Sequence, residues 1–418
     1  MSVWRVQGGY PLEGSVTIQG AKNAVLPILA ATILTGSETE LTNCPQLRDV
    51  EASLNILRHL GCKVSRREDT VYIDSRTVTG CTVPHELMLQ MRSSVIFLGA
   101  ILARCGQANL SMPGGCELGP RPIDLHLAAL TALGADIRCE GGEISCRAPA
   151  LTGAAIHLDI PSVGATENAM IAACAAKGET VIVNAAREPE IVDLQNYLRA
   201  LGADMDGAGT PVITIRGFRP VERVTWRVMP DRIGAATMLC ACACAGGDVE
   251  LRGVDPGHFA AVTEILSAMG GQIETAGRRV RIRCRNRLQG GRTVITRPYP
   301  GFPTDAQPLM MAASLRAAGT TAFVENIFTN RYRQAVEMQR LGADIRTEGR
   351  VAIVTGVERL QGAAVLAEDL RGGASLILAG LGAEGITTVT DHGHVARGYD
   401  GLDRALAALG AHIDKFEN

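Results

Sequence analysis

The sequence predicts an α/β protein of two domains, each built from three copies of a repeat of about 70 residues, and three observations lead there. Six short segments share one pattern at that period: Leu60-Gly61, Leu133-Gly134, Leu201-Gly202, Met269-Gly270, Leu341-Gly342 and Leu409-Gly410, each running into a segment such as Ala-Asp-Ile. A second glycine series, Gly36, Gly106, Gly178, Gly247, Gly319 and Gly385, has the same period. The sixth copy breaks off after one strand, and the strands it lacks stand at the other end of the chain.

Each element follows from local pattern. In the first series an amphipathic run is stopped by glycine, which takes the left-handed conformation that ends helices, and a strand follows. In the second an apolar helix ends before glycine and an alternating strand such as Val181-Ile-Val183 begins. Each repeat therefore reads as helix, strand, helix and strand hairpin. The sixth stops at His412-Ile413-Asp414, while Val3-Trp-Arg-Val6 and Ser15-Val-Thr-Ile18 are unassigned strands. Residues 1–21 are thus expected to complete the C-terminal domain, giving domains at 22–229 and at 1–21 with 230–418. Two chain crossings between them make a hinge. An open solenoid would need polar capping repeats, and neither end shows one.

Composition narrows the function. A chain of 418 residues exceeds one ordinary core, and 46% hydrophobic residues suit a globular protein. A net charge of −2 gives no field to recruit nucleic acid. No apolar run approaches the ~20 residues of a membrane span and no leader precedes Trp4, so a cytoplasmic protein without membrane insertion is expected. The run Cys240-Ala-Cys242-Ala-Cys244 lies in a small-residue helix and reads as core packing. No metal cluster or dinucleotide fingerprint appears, so neither metal nor cofactor is expected.

The charged residues fall on the repeat. Fourteen residues before the second-series glycines stand Lys22, Arg92, Gly164, Ile233, Asp305 and Arg371, all at starts of apolar helices. A helix start carries partial positive charge, so basic side chains there are misplaced for stability and imply an anion. Lys22 stands out because only four lysines occur among 41 basic residues. Twelve residues after Gly319 and Gly385 come Arg331 and Arg397. The same connection is longer in the second repeat, Met112-Pro-Gly-Gly-Cys116-Glu-Leu-Gly-Pro-Arg121-Pro122, a glycine- and proline-marked lid candidate.

These motifs carry a resemblance over essentially the whole chain. Gly20-Ala-Lys22-Asn23, Pro113-Gly-Gly-Cys116 with Arg121-Pro-Ile-Asp124-Leu125, Ser162-Val-Gly164, Arg187-Glu188-Pro-Glu190, Pro303-Thr-Asp305, Asn330-Arg331, Asp369-Leu-Arg371 and Arg397-Gly-Tyr399 resemble, in order and spacing, those of the enolpyruvyl transferase superfamily. The cysteine loop resembles the members that act on UDP-N-acetylglucosamine rather than those that act on shikimate 3-phosphate. The one departure is Ile160, at a position that is basic in some relatives.

The resemblance implies a two-domain inside-out α/β barrel and transfer of the enolpyruvyl group of phosphoenolpyruvate to the 3-hydroxyl of UDP-N-acetylglucosamine, the first committed step of peptidoglycan synthesis. It implies that Lys22, Arg121 and Arg397 hold the phosphate and Arg331 and Arg371 the carboxylate, with side chains from both domains, so that the site assembles on closure. Cys116 is then the proton donor to C3 and the target of the epoxide fosfomycin. Asp305 is the base or the group that orients the hydroxyl, and Asp369 shares in proton transfer. The nucleotide-sugar contacts carried over are Asn23, Arg92, Arg121, Pro122, Ile123, Asp124, Leu125, Ser162, Val163, Gly164, Asp305 and Ile327. A non-catalytic nucleotide-sugar binder would not need Cys116, Asp305 and all five cations together.

Overall fold

The computed structural model describes residues 1–91, 93–112 and 123–417. Among them the chain forms two compact units, one of residues 20–112 and 123–229, the other of 1–19 and 230–417. Each holds three four-stranded sheets.

In the first unit every sheet follows one rule. The strand Glu38–Thr42 pairs antiparallel with the hairpin Lys63–Arg67 and Thr70–Asp74, and Gln107–Ser111 and Thr180–Val183 do the same with theirs. A short extra strand leaves each repeat and adds in parallel to the next sheet: Thr82–Val83 to Gln107–Ser111, and Ala155–His157 to Thr180–Val183. The third, Arg223–Arg227, returns to Glu38–Thr42 in the register Arg223↔Glu38 to Arg227↔Thr42. That pairing closes the three repeats into a ring and excludes a solenoid. The first two crossover strands, of two and three residues, are too short to show alternation, and the sequence reading missed them for that reason.

The second unit closes likewise. Thr293–Ile295 adds to Thr320–Val324, Ala364–Ala367 to Ile386–Asp391, and Leu12–Thr17 to Gly247–Arg252. Ser2–Gln7 lies between Ile386–Asp391 and His412–Glu417, antiparallel to both. The two N-terminal strands thus have different roles. Only the first supplies the hairpin missing from repeat six; the second is the crossover that closes the ring on repeat four.

The rings are filled by helices. Lys22–Ala31, Phe97–Cys105 and Val163–Ala173 are buried along nearly their whole length, as are Arg232–Ala245, Gln307–Ser314 and Leu370–Leu381 in the second unit. The strands bury alternate residues against them, Thr39 and Leu41 but not Glu38 or Glu40, so the sheets face outward. Helices buried on every side need small contact residues. At Gly99 a Cβ would lie 2.4 Å from Asn168 Oδ1, whose oxygen accepts from the Gly99 N–H at 2.7 Å. Cys240 and Cys242 are fully buried on the fourth of these helices, where their thiols act as small apolar groups.

Candidate active site

Because the repeats close into rings, the inner-helix starts of a unit gather at one end of it. Lys22, Gly164, Ile233 and Arg371 are each the first or second residue of an inner helix, and Asp305 lies in the single 3-10 turn, Thr304–Ala306, that leads into Gln307–Ser314.

In the second unit two of these positions, Asp305 and Arg371, meet Arg331. Arg331 reaches Asp305 Oδ1 at 3.2 Å from Nη2 and donates to the Thr304 carbonyl from Nε and Nη2 at 3.3 and 3.1 Å. Arg371 reaches Asp305 Oδ2 at 3.2 Å from both Nε and Nη2. Asp305 is therefore bridged between two guanidiniums that are each only 2% exposed. Asp369, also buried, caps Leu370–Leu381 by accepting the Arg371 and Gly372 N–H groups at 3.0 Å, and its Oδ1 stands 3.8 Å from Arg331 Nη1. The Arg371 guanidinium lies 5.1 Å over the Tyr399 ring, whose hydroxyl is 2.8 Å from Thr237 Oγ1. Burial alone would lower the Arg371 pKa, yet Tyr399, Asp305 and Asp231 outweigh it and hold it above the ordinary arginine value. Arg371 Nη1 is buried with no hydrogen-bond partner among the described residues. A buried cationic donor left over in this way suits an incoming anion.

Arg397 ends the 3-10 turn Val395–Arg397 and is half-buried. Ile327 is 39% exposed, on the connection between Thr320–Val324 and Arg331.

In the first unit Lys22 opens its helix and pairs with Asp49 Oδ2 at 2.7 Å, the lysine 11% and the aspartate 1% exposed. The reading of misplaced basic residues is corrected here in one respect: the protein supplies carboxylates of its own, Asp49 to Lys22 and Asp305 to Arg371. Asn23 is half-buried on the same turn. Ser162 caps Val163–Ala173 by accepting the Ala165 N–H, leaving Ser162, Val163 and Gly164 partly accessible at a helix start that favours anions. Asp124 opens the helix Asp124–Ala132, exposed, with Ile123 and Leu125 beside it. His126, two residues on, packs against Gly164, where a Cβ would meet its ring at 2.9 Å, and its Nδ1 is 3.0 Å from Asn168 Nδ2. Burial lowers its pKa to about 4, so the ring is neutral at pH 7. Arg92, Cys116, Arg121 and Pro122 lie outside the described residues.

Sequence reasoning overlooked Asp49, His126, Glu325 and Asp391. For Asp49 no sequence signal distinguishes it from an ordinary first-turn acid of the helix Arg48–His59. Glu325 and Asp391 carry a signal that was there to be found, since each lies six residues past a second-series glycine.

Similar proteins agree with the fold and show the family. The family model described as EPSP synthase (3-phosphoshikimate 1-carboxyvinyltransferase) matches residues 6–406. UDP-N-acetylglucosamine 1-carboxyvinyltransferase 2 of Caldanaerobacter subterraneus is 46% identical, covering 99% of both chains. UDP-N-acetylglucosamine 1-carboxyvinyltransferase 1 of Symbiobacterium thermophilum is 49% identical over 98% of this chain and 94% of its own. Among solved structures, the enolpyruvyl transferase NikO from Streptomyces tendae superposes with a TM-score of 0.89 at 26% identity, covering 99% of this chain and 98% of that one. EPSP synthase from Acinetobacter baumannii, at 20% identity and a TM-score of 0.75 over 100% of both chains, shares the fold. The inside-out α/β architecture and these full-length identities lead to one conclusion: the chain belongs to the EPSP synthase family and, within it, to the UDP-N-acetylglucosamine 1-carboxyvinyltransferases.

Proposed function

We propose that this chain transfers the enolpyruvyl group of phosphoenolpyruvate to the 3-hydroxyl of UDP-N-acetylglucosamine and releases phosphate, and that it does so in the cytoplasm as an early step of cell-wall peptidoglycan synthesis. The observation that carries the reading is the buried bridge of Arg331, Asp305 and Arg371 with Arg371 Nη1 left over. Two planar forks suit a carboxylate. An entering carboxylate competes with Asp305 for both guanidiniums, so binding loosens the bridge and turns the Asp305 oxygens toward the acceptor hydroxyl.

The reaction then runs as addition and elimination. The acceptor oxygen bonds to C2 while its proton passes to Asp305 and C3 gains a proton from Cys116. In the second half the C2–O bond to phosphate breaks with its electron pair leaving on the phosphate, C3 returns a proton to the Cys116 thiolate, restoring the double bond, and the proton held by Asp305 leaves with the phosphate. Lys22, Arg121 and Arg397 stabilise the departing phosphate, whose charge rises as it leaves. Asp369 keeps Arg371 in place through its helix cap and borders Arg331, which suits a share in the proton path. Asn23, Arg92, Pro122, Ile123, Asp124, Leu125, Ser162, Val163, Gly164 and Ile327 hold the nucleotide sugar. No helix among the described residues is long and apolar enough to cross a membrane.

The test is phosphate release from phosphoenolpyruvate with each acceptor in turn. Turnover with UDP-N-acetylglucosamine and none with shikimate 3-phosphate is the expected result. Turnover with shikimate 3-phosphate alone, or with neither, overturns the reading.

A further inference from the structure

The arginines at the twelfth position after a second-series glycine share a device at the sixth. Glu325 follows the strand Thr320–Val324 and is 1% exposed. Its Oε1 accepts the N–H groups of Ile327 at 2.8 Å and Phe328 at 3.0 Å, folding the connection that leads to Arg331. Its Oε2 accepts the hydroxyl of Thr304 at 3.0 Å, the residue whose carbonyl receives two bonds from Arg331 and whose neighbour is Asp305. One buried carboxylate therefore ties together the turn of Asp305 and the loop of Ile327 and Arg331. Asp391 ends the strand Ile386–Asp391 and is fully buried. Its Oδ1 accepts from Gly393 N at 3.0 Å and His394 N at 2.7 Å, and its Oδ2 from Val395 N at 3.3 Å and Ser2 Oγ at 3.3 Å, folding the turn that ends at Arg397.

We propose that Glu325 and Asp391 are paired positioning residues: each spends its charge on the backbone of the following loop and so fixes the direction of the arginine six residues on, with Glu325 also holding Asp305. Carboxylates suit the task because a charged acceptor binds several N–H groups at once, more strongly than an amide or hydroxyl can. Neither Glu325 nor Asp391 need touch substrate. Arginine direction matters because a misplacement of about 1 Å in a reacting constellation costs on the order of 10²-fold in rate.

The inference rests on the proposed function for its kinetic readout, and an equilibrium readout keeps the two separable. Three variants are made: Thr304→Val, which cuts only the tie to the Asp305 turn; Glu325→Gln, which keeps the shape but replaces one acceptor with a donor; and Asp391→Asn. Thr304→Val is expected to lower kcat about tenfold with KM for phosphoenolpyruvate within about twofold, since Asp305 moves and the loop cap survives. Glu325→Gln and Asp391→Asn are expected to raise KM for phosphoenolpyruvate by roughly tenfold, and Glu325→Gln combined with Thr304→Val to fall short of the product of the two. Calorimetric titration with phosphoenolpyruvate alone reads the arginines without turnover. A wild type that binds it but does not turn over refutes the proposed function while Glu325→Gln and Asp391→Asn still test the inference by weakened binding. The inference is overturned if those two variants bind phosphoenolpyruvate within twofold of wild type, or if their losses only follow a loss of folded protein measured by thermal melting.

Discussion

Lys22 and Asp305 stand at the same place in the repeat, fourteen residues before Gly36 and Gly319, and each reaches a partner just beyond the next strand. Lys22 meets Asp49 and Asp305 meets Arg331. The charges are exchanged, and so is the mechanical character of the pair. In the second unit the cation is a fork held at several points: Arg331 grips Asp305 and the Thr304 carbonyl, and Arg371 grips the same carboxylate from the other side. In the first unit it is a compact ammonium on a flexible stem, more exposed than either arginine. A fixed fork suits a planar group that keeps its charge through the reaction. A point charge on a swinging stem suits one that departs. One repeat thus yields a compliant cation, Lys22, and a rigid one, Arg371, from the same helix-start position.

The largest effect tests the proposed proton donor. Cys116→Ser is expected to lower turnover by about 10³-fold or more and to abolish alkylation by fosfomycin, because a hydroxyl is too weak an acid to protonate C3. Mass spectrometry after epoxide treatment checks this, and labelling spread over several cysteines would sink the assignment. Next, Arg371→Lys is expected to reduce kcat/KM for phosphoenolpyruvate by roughly 10²-fold, since an ammonium cannot reproduce the two contacts to Asp305 and also serve a substrate. Asp49→Asn should act more mildly, raising KM for phosphoenolpyruvate about fivefold, because it loosens the lysine without removing its charge. Steady-state kinetics compares the two, and a greater loss for Asp49→Asn than for Arg371→Lys would break the distinction between compliant and rigid cations.

The smallest effect concerns stability and belongs to the first unit. Burial, aided by Glu190 and opposed by the Met229 N–H, pushes the Asp193 pKa up to about 7. The folded state therefore binds a proton that the unfolded state releases near the ordinary carboxylate range. Stability from this group is present at low pH and is lost as pH rises from about 4 through 7. Asp193→Asn removes the dependence, so it should be more stable than wild type by about 2 kcal/mol at pH 8 and nearly equal at pH 4. Thermal melts at the two pH values decide it. A difference that does not change with pH would show that Asp193 is ionised in the fold throughout.

How far the sequence could be read depended on whether a feature is local. The inner helices were legible because an apolar run ending in glycine signals its own boundary, and counting from that glycine placed Lys22, Gly164, Ile233, Asp305 and Arg371 at helix starts. The destinations of the N-terminal strands were only half legible. Ser2–Gln7 and Leu12–Thr17 both read as short strands, and it is ring closure, not pattern, that sends one to the sheet of repeat six and the other to that of repeat four. Among site residues, those with unusual chemistry for their position were found, while acids in ordinary positions were not. Asp49 looks like any acid in a first helical turn, and its meaning comes from Lys22 approaching in space.

The closing pairs of the two rings also set the order in which the chain can finish folding as it is synthesised. The first unit needs Arg223–Arg227 to reach back to Glu38–Thr42, so all its strands exist once residue 227 has emerged. The second cannot be completed until His412–Glu417 arrives beside Ser2–Gln7, made more than 400 residues earlier. Leu12–Thr17 meets its partner once Gly247–Arg252 has emerged, but until Ile386–Asp391 and His412–Glu417 arrive Ser2–Gln7 waits with unpaired edges, the kind of surface that recruits wrong partners. A nascent chain of this protein therefore passes through a long stage with one finished half and a tethered orphan strand, and that stage is where its folding is most exposed to aggregation and most open to help from chaperones.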